Sequence, residues 1–585
     1  MTTIDTGEEP RPHHPQTGPL HASKPLRRPG SGGWIQSLLA AVAVAVLTGG
    51  AVFGADWYIG EPEVVAESAP ADAPVVLVTP SPSAGTDLTA NDIRLAWGPS
   101  VADMTAARET AAAMSVEQAA GQVIVAAFSG RDTGTVREQI QRYHLGGVIF
   151  LGGNVGSRNQ TTALTSAALQ AGVDDGRDWP VIVSVDQEGG NVARLGSLTP
   201  EMPAFMAAGA TDDKSVVTAV YAEYGQDIAE LGFNVDYAPV ADVTIGLDDP
   251  IIRSRAAGSN PDRVGETVVA AMGGFLDAGL LTSIKHFPGH GSVTTDSHVA
   301  LPLQEKSVSS LAATDLVPFQ MSIDAGAPMI MMSHVAVKAW GSDPSTLDAD
   351  AYSYLRDEMG FTGVVITDAL NMAAVTRSHD PDEAAVAALR AGADILLMPA
   401  DTGEAHAGIV AAVEDGSLSR ARLNDAAARS IAMMRWQATI DPELESPIEG
   451  DYVRLLSQTG ATVVAPLCGE RIVSDTVSIS GGWSSERNAL AVALEDHGVN
   501  VVSSGGTHVR IHGTADGGSD ADVVVAMDGP WGLSGADADA YIGLYGRGDS
   551  TLAALADILV GEAAPESAWP VGVGSMPYGA CPSVR

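Results

Sequence analysis

LTSIKHFPGHGSVTTDSH, Leu281 to His298, begins as an apolar run and ends as a loop crowded with titratable groups. Its first part, LTSIKHF, has the β-branched and apolar content of a buried strand. Lys285, His286, His290, Asp296 and His298 follow one another through the rest, with a Pro and two Gly between them. A strand that ends in Lys-His and opens into a polar, Gly-containing loop fits the catalytic face of an α/β barrel. A turn with incidental polar residues and a metal loop are the competing roles. Deciding between them requires the other strands.

Seven further runs read as buried strands: GQVIVAAF, GGVIFLG, PVIVSVD, FNVDYAPV, PMIMMSHV, GVVITD and DILLMP. Helical patterns fall between most of them, for example PDRVGETVVAAMGGFLDAG and DPDEAAVAALRAG. Eight strand-like runs alternating with helices predict an α/β chain with a TIM-type (β/α)8 barrel over residues 103–440. Asp186, Lys285, His286, His334 and Asp368 sit at or just beyond the C-terminal ends of these runs. One such residue is a bland strand cap; several on one rim mark the active face. After the polar connector TIDPELESPIEG, the runs RIVSDTVSIS, VNVVSS and ADVVVAM flank the helical stretch ERNALAVALEDHG. They predict a smaller α/β sandwich domain over residues 441–585.

The chain has 585 residues, 45% of them hydrophobic, enough for more than one core. Its 32 Lys and Arg against 72 Asp and Glu give a net charge of −40, which repels phosphate backbones and argues against nucleic acid as a partner. Two cysteines, Cys468 and Cys581, exclude a disulfide scaffold or a multi-cysteine zinc module; in an exported chain the two can pair. Residues 1–33 read as a disordered tail. Trp34 to Ala55 is an almost uncharged apolar run of bilayer-spanning length, preceded by Lys24, Arg27 and Arg28 and followed by Asp56, Glu61 and Glu63. The charge bias predicts a single-pass membrane anchor through residues 34–55, with everything after it outside. A cleaved signal peptide, and so a secreted protein, is the alternative. Residues 56–102, with PADAP and TPSPSAG, read as a linker.

Asp368, in GVVITDALNM, is a carboxylate at the end of a buried strand. It suits a nucleophile at a sugar's anomeric carbon, or equally the N-cap of the next helix. Asp296-Ser297-His298 sets a carboxylate two residues from an imidazole. Such a pair can protonate a leaving oxygen and then activate water. A structural loop, or a metal site with His286, His290, Asp296 and His298, stays open, although Lys285 disfavours a cation there. In SVDQEGGNVARL, Asp186 can bond vicinal sugar hydroxyls; Glu188 is as readily structural, and Gly189 and Gly190 form a turn.

Together these motifs resemble glycoside hydrolase family 3, in its bacterial β-N-acetylglucosaminidase branch. KHFPGHG followed by DSH is that branch's signature, and DQEGG, APVADV (Ala238–Val243) and ITDALNM stand in the expected order. The likeness covers most of Asp103 to Arg435. It implies a retaining exo-β-N-acetylglucosaminidase acting on cell-wall glycan or muropeptides, with no cofactor and no metal. By the same resemblance Asp368 would be the nucleophile and His298, paired with Asp296, the general acid and base. Asp186, Arg194, Arg255, Lys285 and His286 would bind the terminal sugar, and His290 would shape the loop. Asn191 and Ala256-Ala257 depart from the family's usual Arg after DQEGG and its Arg-Ser-Phe run. They put linkage or leaving-group preference in doubt and motivate one alternative, a surface glycan-binding protein that has lost catalysis; a β-glucosidase and a phosphorylase of the same family are the others.

Overall fold

The structure is a computed structural model that describes residues 77–78, 89–91, 93–442, 447–466, 469–513 and 520–576. The expected tail, the anchor at Trp34–Ala55, most of the linker, Cys468 and Cys581 lie outside the described residues. Among the described residues no helix is long and apolar enough to cross a membrane.

Strand structure falls within each of the eight predicted runs. These strands are β1 (Ile124–Ala127), β2 (Gly147–Phe150), β3 (Ile182–Val185), β4 (Val235–Asp236), β5 (Leu281–Thr282), β6 (Ile284–Phe287), β7 (Met329–Met332), β8 (Val364–Thr367) and β9 (Leu396–Leu397). Ser283 splits one run into β5 and β6. All pair in parallel, as a curled sheet in two hydrogen-bonded pieces, β9-β1-β2-β3-β4-β5 and β6-β7-β8. Their side chains are buried on both faces, which is why the runs read as unbroken Val, Ile, Leu and Met rather than alternating.

The ladder is less continuous than the expected ring because side chains take over backbone bonds. Between β8 and β9 a single bridge, Ile366 to Ile395, is flanked by two such bonds. Val365 N–H donates to the Asp394 carboxylate at 3.0 Å, and Leu397 N–H donates to Thr367 Oγ1 at 2.9 Å. Between β3 and β4, Val183 N–H likewise donates to Asn234 Oδ1 at 2.8 Å.

The helices begin where capping chemistry says they should. Asn260 accepts from Arg263 N–H at 3.0 Å and Pro261 follows it, starting the helix Pro261–Asp277. Pro381–Ala391 starts after Asp380, whose N–H is met by Glu383 at 3.4 Å, and stops at Gly392.

The second sheet holds β10 (Thr462–Val464), β11 (Thr476–Gly481), β12 (Asn500–Val502), β13 (Thr507–His512), β14 (Val523–Ala526) and β15 (Ala540–Gly543), in the order β10-β15-β14-β13-β11-β12. Only β10 is antiparallel to its neighbour. The loops leaving β14 and β15, and the segment that follows the helix Asp549–Val560, rest on loops of the first sheet. Ala204 N–H donates to Tyr545 C=O at 2.8 Å, Ser259 N–H to Pro570 C=O at 3.0 Å, and the Trp531 indole lies against Gly246.

Candidate active site

Asp368 directly follows β8. Its N–H continues the ladder to Met332 C=O at 2.9 Å, and its Oδ1 accepts the Ala369 N–H at 2.7 Å. Burial pushes the carboxyl up, but the histidines His334 and His286, the Ala369 N–H and Lys285 outweigh it and hold the group below the usual range. Burial holds His334 itself low, against the pull of Asp368. Its Nε2 meets Ala369 C=O at 2.9 Å and therefore carries a proton, while its Nδ1 lies 2.8 Å from Thr346 Oγ1, the hydroxyl that also donates to Ser333 C=O at 2.8 Å.

Lys285 is 2% exposed, and its ammonium lies between Asp186 Oδ1 at 2.7 Å and Glu188 Oε1 at 2.6 Å. Glu188 also takes both arms of the Arg255 guanidinium, at 2.9 and 2.8 Å. Two cations and two carboxylates thus balance at a buried site. Burial opposes ionisation of Glu188 and Lys285, yet their partners win: Glu188 is held far below its ordinary range and Lys285 above it. The result is a set of fixed donors, with Asp186 24% exposed and open to a ligand.

His286 Nδ1 lies 2.7 Å from Asp242 Oδ2 and donates to it; the other Asp242 oxygen accepts His290 N–H at 2.6 Å. Asp242 is fully buried, and His286 leads the groups that outweigh this burial and keep it ionised. On the loop, His298 Nδ1 lies 2.9 Å from Asp296 Oδ1, which also accepts the His298 N–H at 2.8 Å. That bond places the proton on Nδ1 and leaves Nε2 as the working nitrogen of a ring that is 60% exposed.

The four predicted ligand types on this segment do not converge. The His286 ring turns to Asp242, the His290 ring to Ser297 and the His298 ring to Asp296. Among the described residues the one group of three metal-ligating side chains is His497, Asp557 and Glu562, where the Arg454 guanidinium already occupies the Asp557 carboxylate.

The structure brings Asp186, Lys285, Arg255 and His286 together and places Arg194 apart from them. It is exposed on the hairpin after Gly190, where its backbone N–H donates to Gln187 Oε1 at 2.6 Å. Ala256 and Ala257 are fully buried core residues, so their small size answers to packing. Sequence reasoning left Glu188 undecided and gave Asp242 no role, although both stand in the quoted motifs DQEGG and APVADV. An acidic residue inside an otherwise apolar or glycine-rich motif was the signal for each.

The profile of the glycosyl hydrolase family 3 N-terminal domain matches residues 115–433, and the chain belongs to that family. Two curated relatives are similar over this part. The β-hexosaminidase A of Pseudoalteromonas piscicida is 35% identical over 280 residues, which is 45% of this chain and 47% of that protein. The β-hexosaminidase LpqI of Mycobacterium tuberculosis is 35% identical over 278 residues, 46% of this chain and 69% of that protein. The chain thus spans about half the length of the first of these. Among solved structures, a glycoside hydrolase family 3 β-N-acetylglucosaminidase from Paenibacillus sp. superposes over 80% of this chain and 100% of its own, with a TM-score of 0.71 and 25% identity.

Proposed function

We propose that the protein is a retaining exo-β-N-acetylglucosaminidase that removes terminal β-linked N-acetylglucosamine from cell-wall glycan or muropeptides. The observation that carries this is a half-buried Asp368, held ionised at a strand end, beside the Lys285 ammonium and the His286 ring that Asp242 orients. Asp368 attacks the anomeric carbon as His298 Nε2–H protonates the departing oxygen, and a covalent glycosyl-enzyme forms. The imidazole, now neutral, takes a proton from water, whose oxygen displaces Asp368 and returns the sugar with its original anomeric configuration. Asp186, Lys285, Arg255 and His286 hold the hydroxyls, and Arg194 reaches the sugar from the rim. On this reading the curled sheet works as a closed (β/α)8 barrel. Residues 34–55 hold it outside the cytoplasmic membrane, where such a glycan is found.

A phosphorylase would use the same residues. An imidazole acid/base, unlike a second carboxylate, does not repel phosphate, and His298 is the exposed member of its pair. Hydrolysis of chromogenic β-N-acetylglucosaminide and β-glucoside substrates, with and without phosphate, separates these activities. The N-acetyl sugar should be preferred, with water as acceptor. Asp368→Ala should lower kcat/KM by about four orders of magnitude, the scale of losing a covalent nucleophile. Activity that survives this substitution would remove Asp368 from the mechanism.

A further inference from the structure

The loop bearing Asp296 and His298 is fastened at its base and once more in its middle. At the base the Ser292 hydroxyl donates to Asp315, Lys306 reaches the same carboxylate at 2.6 Å, and Gln304 Nε2 donates to Ser292 Oγ at 2.8 Å. Between these points most side chains are exposed or half-buried, including both members of the pair. Ser297, which separates them, is 2% exposed. Its hydroxyl lies 2.8 Å from His290 Nε2, and its carbonyl accepts the Ala374 N–H at 3.3 Å.

His290 is buried in turn. Its backbone N–H is held by Asp242, the carboxylate that orients His286, and its Nδ1 has no hydrogen-bond partner among the described residues. Ser297 is therefore the ring's one polar link there. Burial, against the pull of Asp242, holds the imidazole below its ordinary range. A neutral ring bonded to a single hydroxyl fits that setting.

We infer that His290 and Ser297 are positioning residues, a tether from Asp242 that fixes where the Asp296–His298 pair stands relative to Asp368. This rests on His298 being the acid and base. A loop held only at its base leaves its middle free to shift. A bond placed between the two members of the pair leaves them little freedom beyond their own side-chain rotations. Proton transfer needs such placement, because a displacement of about 1 Å can cost on the order of 10²-fold in rate. Asp242 then serves as a common reference for a sugar-holding histidine and for the proton-transfer loop.

The test compares 3,4-dinitrophenyl and phenyl β-N-acetylglucosaminides with the full chain and its variants Ser297→Ala, His290→Phe, His290→Gln and His298→Ala. The dinitrophenolate leaves with little acid assistance, whereas the phenolate needs it. Ser297→Ala and His290→Phe should lower kcat/KM for the phenyl substrate by about 10²-fold and change it little for the dinitrophenyl one. His290→Gln, which keeps a polar group near the hydroxyl, should recover much of the loss. Equal losses on both substrates, or none, in Ser297→Ala would overturn the tether while His298→Ala still shows the leaving-group dependence. If His298→Ala lacks that dependence, the acid/base assignment fails and the tether fails with it. Should His290→Phe not fold, Ser297→Ala decides alone, since it deletes one hydroxyl.

Discussion

Two regions of the candidate site are built on opposite principles. Asp186, Glu188, Arg255 and Lys285 form a closed ionic set in which the Lys285 and Glu188 side chains are 2% and 3% exposed. Asp296 and His298 are a single hydrogen-bonded pair whose imidazole is 60% exposed. Groups that hold a ligand in one geometry gain from being buried and mutually compensated, because they arrive already oriented. A group that must both give and take a proton gains from contact with solvent, which supplies the water and keeps both protonation states within reach. Damage to the buried set should therefore appear in stability and binding, and damage to the exposed pair in rate alone.

The largest expected effect falls on the exposed pair. His298→Ala should cost about 10²–10⁴ in kcat for substrates with poor leaving groups, with the melting temperature essentially unchanged. A large drop in melting temperature would show that the loop carries structural weight, and the contrast would fail. Glu188→Gln should do the reverse. It leaves Lys285 and Arg255 buried with one carboxylate fewer, a change on the order of 3–5 kcal/mol in unfolding free energy, with KM raised. Denaturant titration measures the first and initial rates the second; unchanged stability would mean that the set is not closed in solution.

Asp236, beneath this cluster at the end of β4, sharpens the comparison through pH. Burial dominates its environment and pushes the carboxyl from 3.8 up to about 8, against the Gln187 N–H that it accepts. Between those values the unfolded chain releases a proton that the folded chain keeps. Stability should thus fall as pH rises across that window, by up to about 1.4 kcal/mol per unit. Asp236→Asn, which retains the acceptor for Gln187, should flatten this part of the stability profile; an unaltered slope would place the titration elsewhere. Arg194→Ala should have the smallest effect. An exposed guanidinium outside the ionic set contributes within about 0.5 kcal/mol to stability, and its loss should raise KM several-fold at most, read from saturation curves. A loss in kcat equal to that of His298→Ala would place Arg194 among the groups acting in the transition state.

The strands were legible because a parallel sheet covered on both faces needs apolar side chains at every position. PVIVSVD, PMIMMSHV and GVVITD therefore stand out without alignment or periodicity. The rim was legible for a related reason: a charged residue ending such a run, as Asp186, Lys285 and Asp368 do, breaks the pattern abruptly. Glu188 and Asp242 were harder, because their meaning lies in partners distant along the chain. Glu188 meets Arg255 across 67 residues, and Asp242 meets His286 across 44. No local pattern encodes those pairings. Arg194 stands apart for a local reason: the Gly189–Gly190 turn that precedes it carries it to the exposed rim.

The sequence by itself determined the α/β class, the order of the strands along the chain and the residue types at the strand ends that line the candidate site. Local burial and strand-end chemistry are written in consecutive residues. Tertiary structure alone decided which carboxylate serves which cation, that Asp242 supports two histidines, and that His290 reaches Ser297. Those facts depend on distances between segments, and the energy of a buried charge is set by whatever the fold brings within about 3 Å of it.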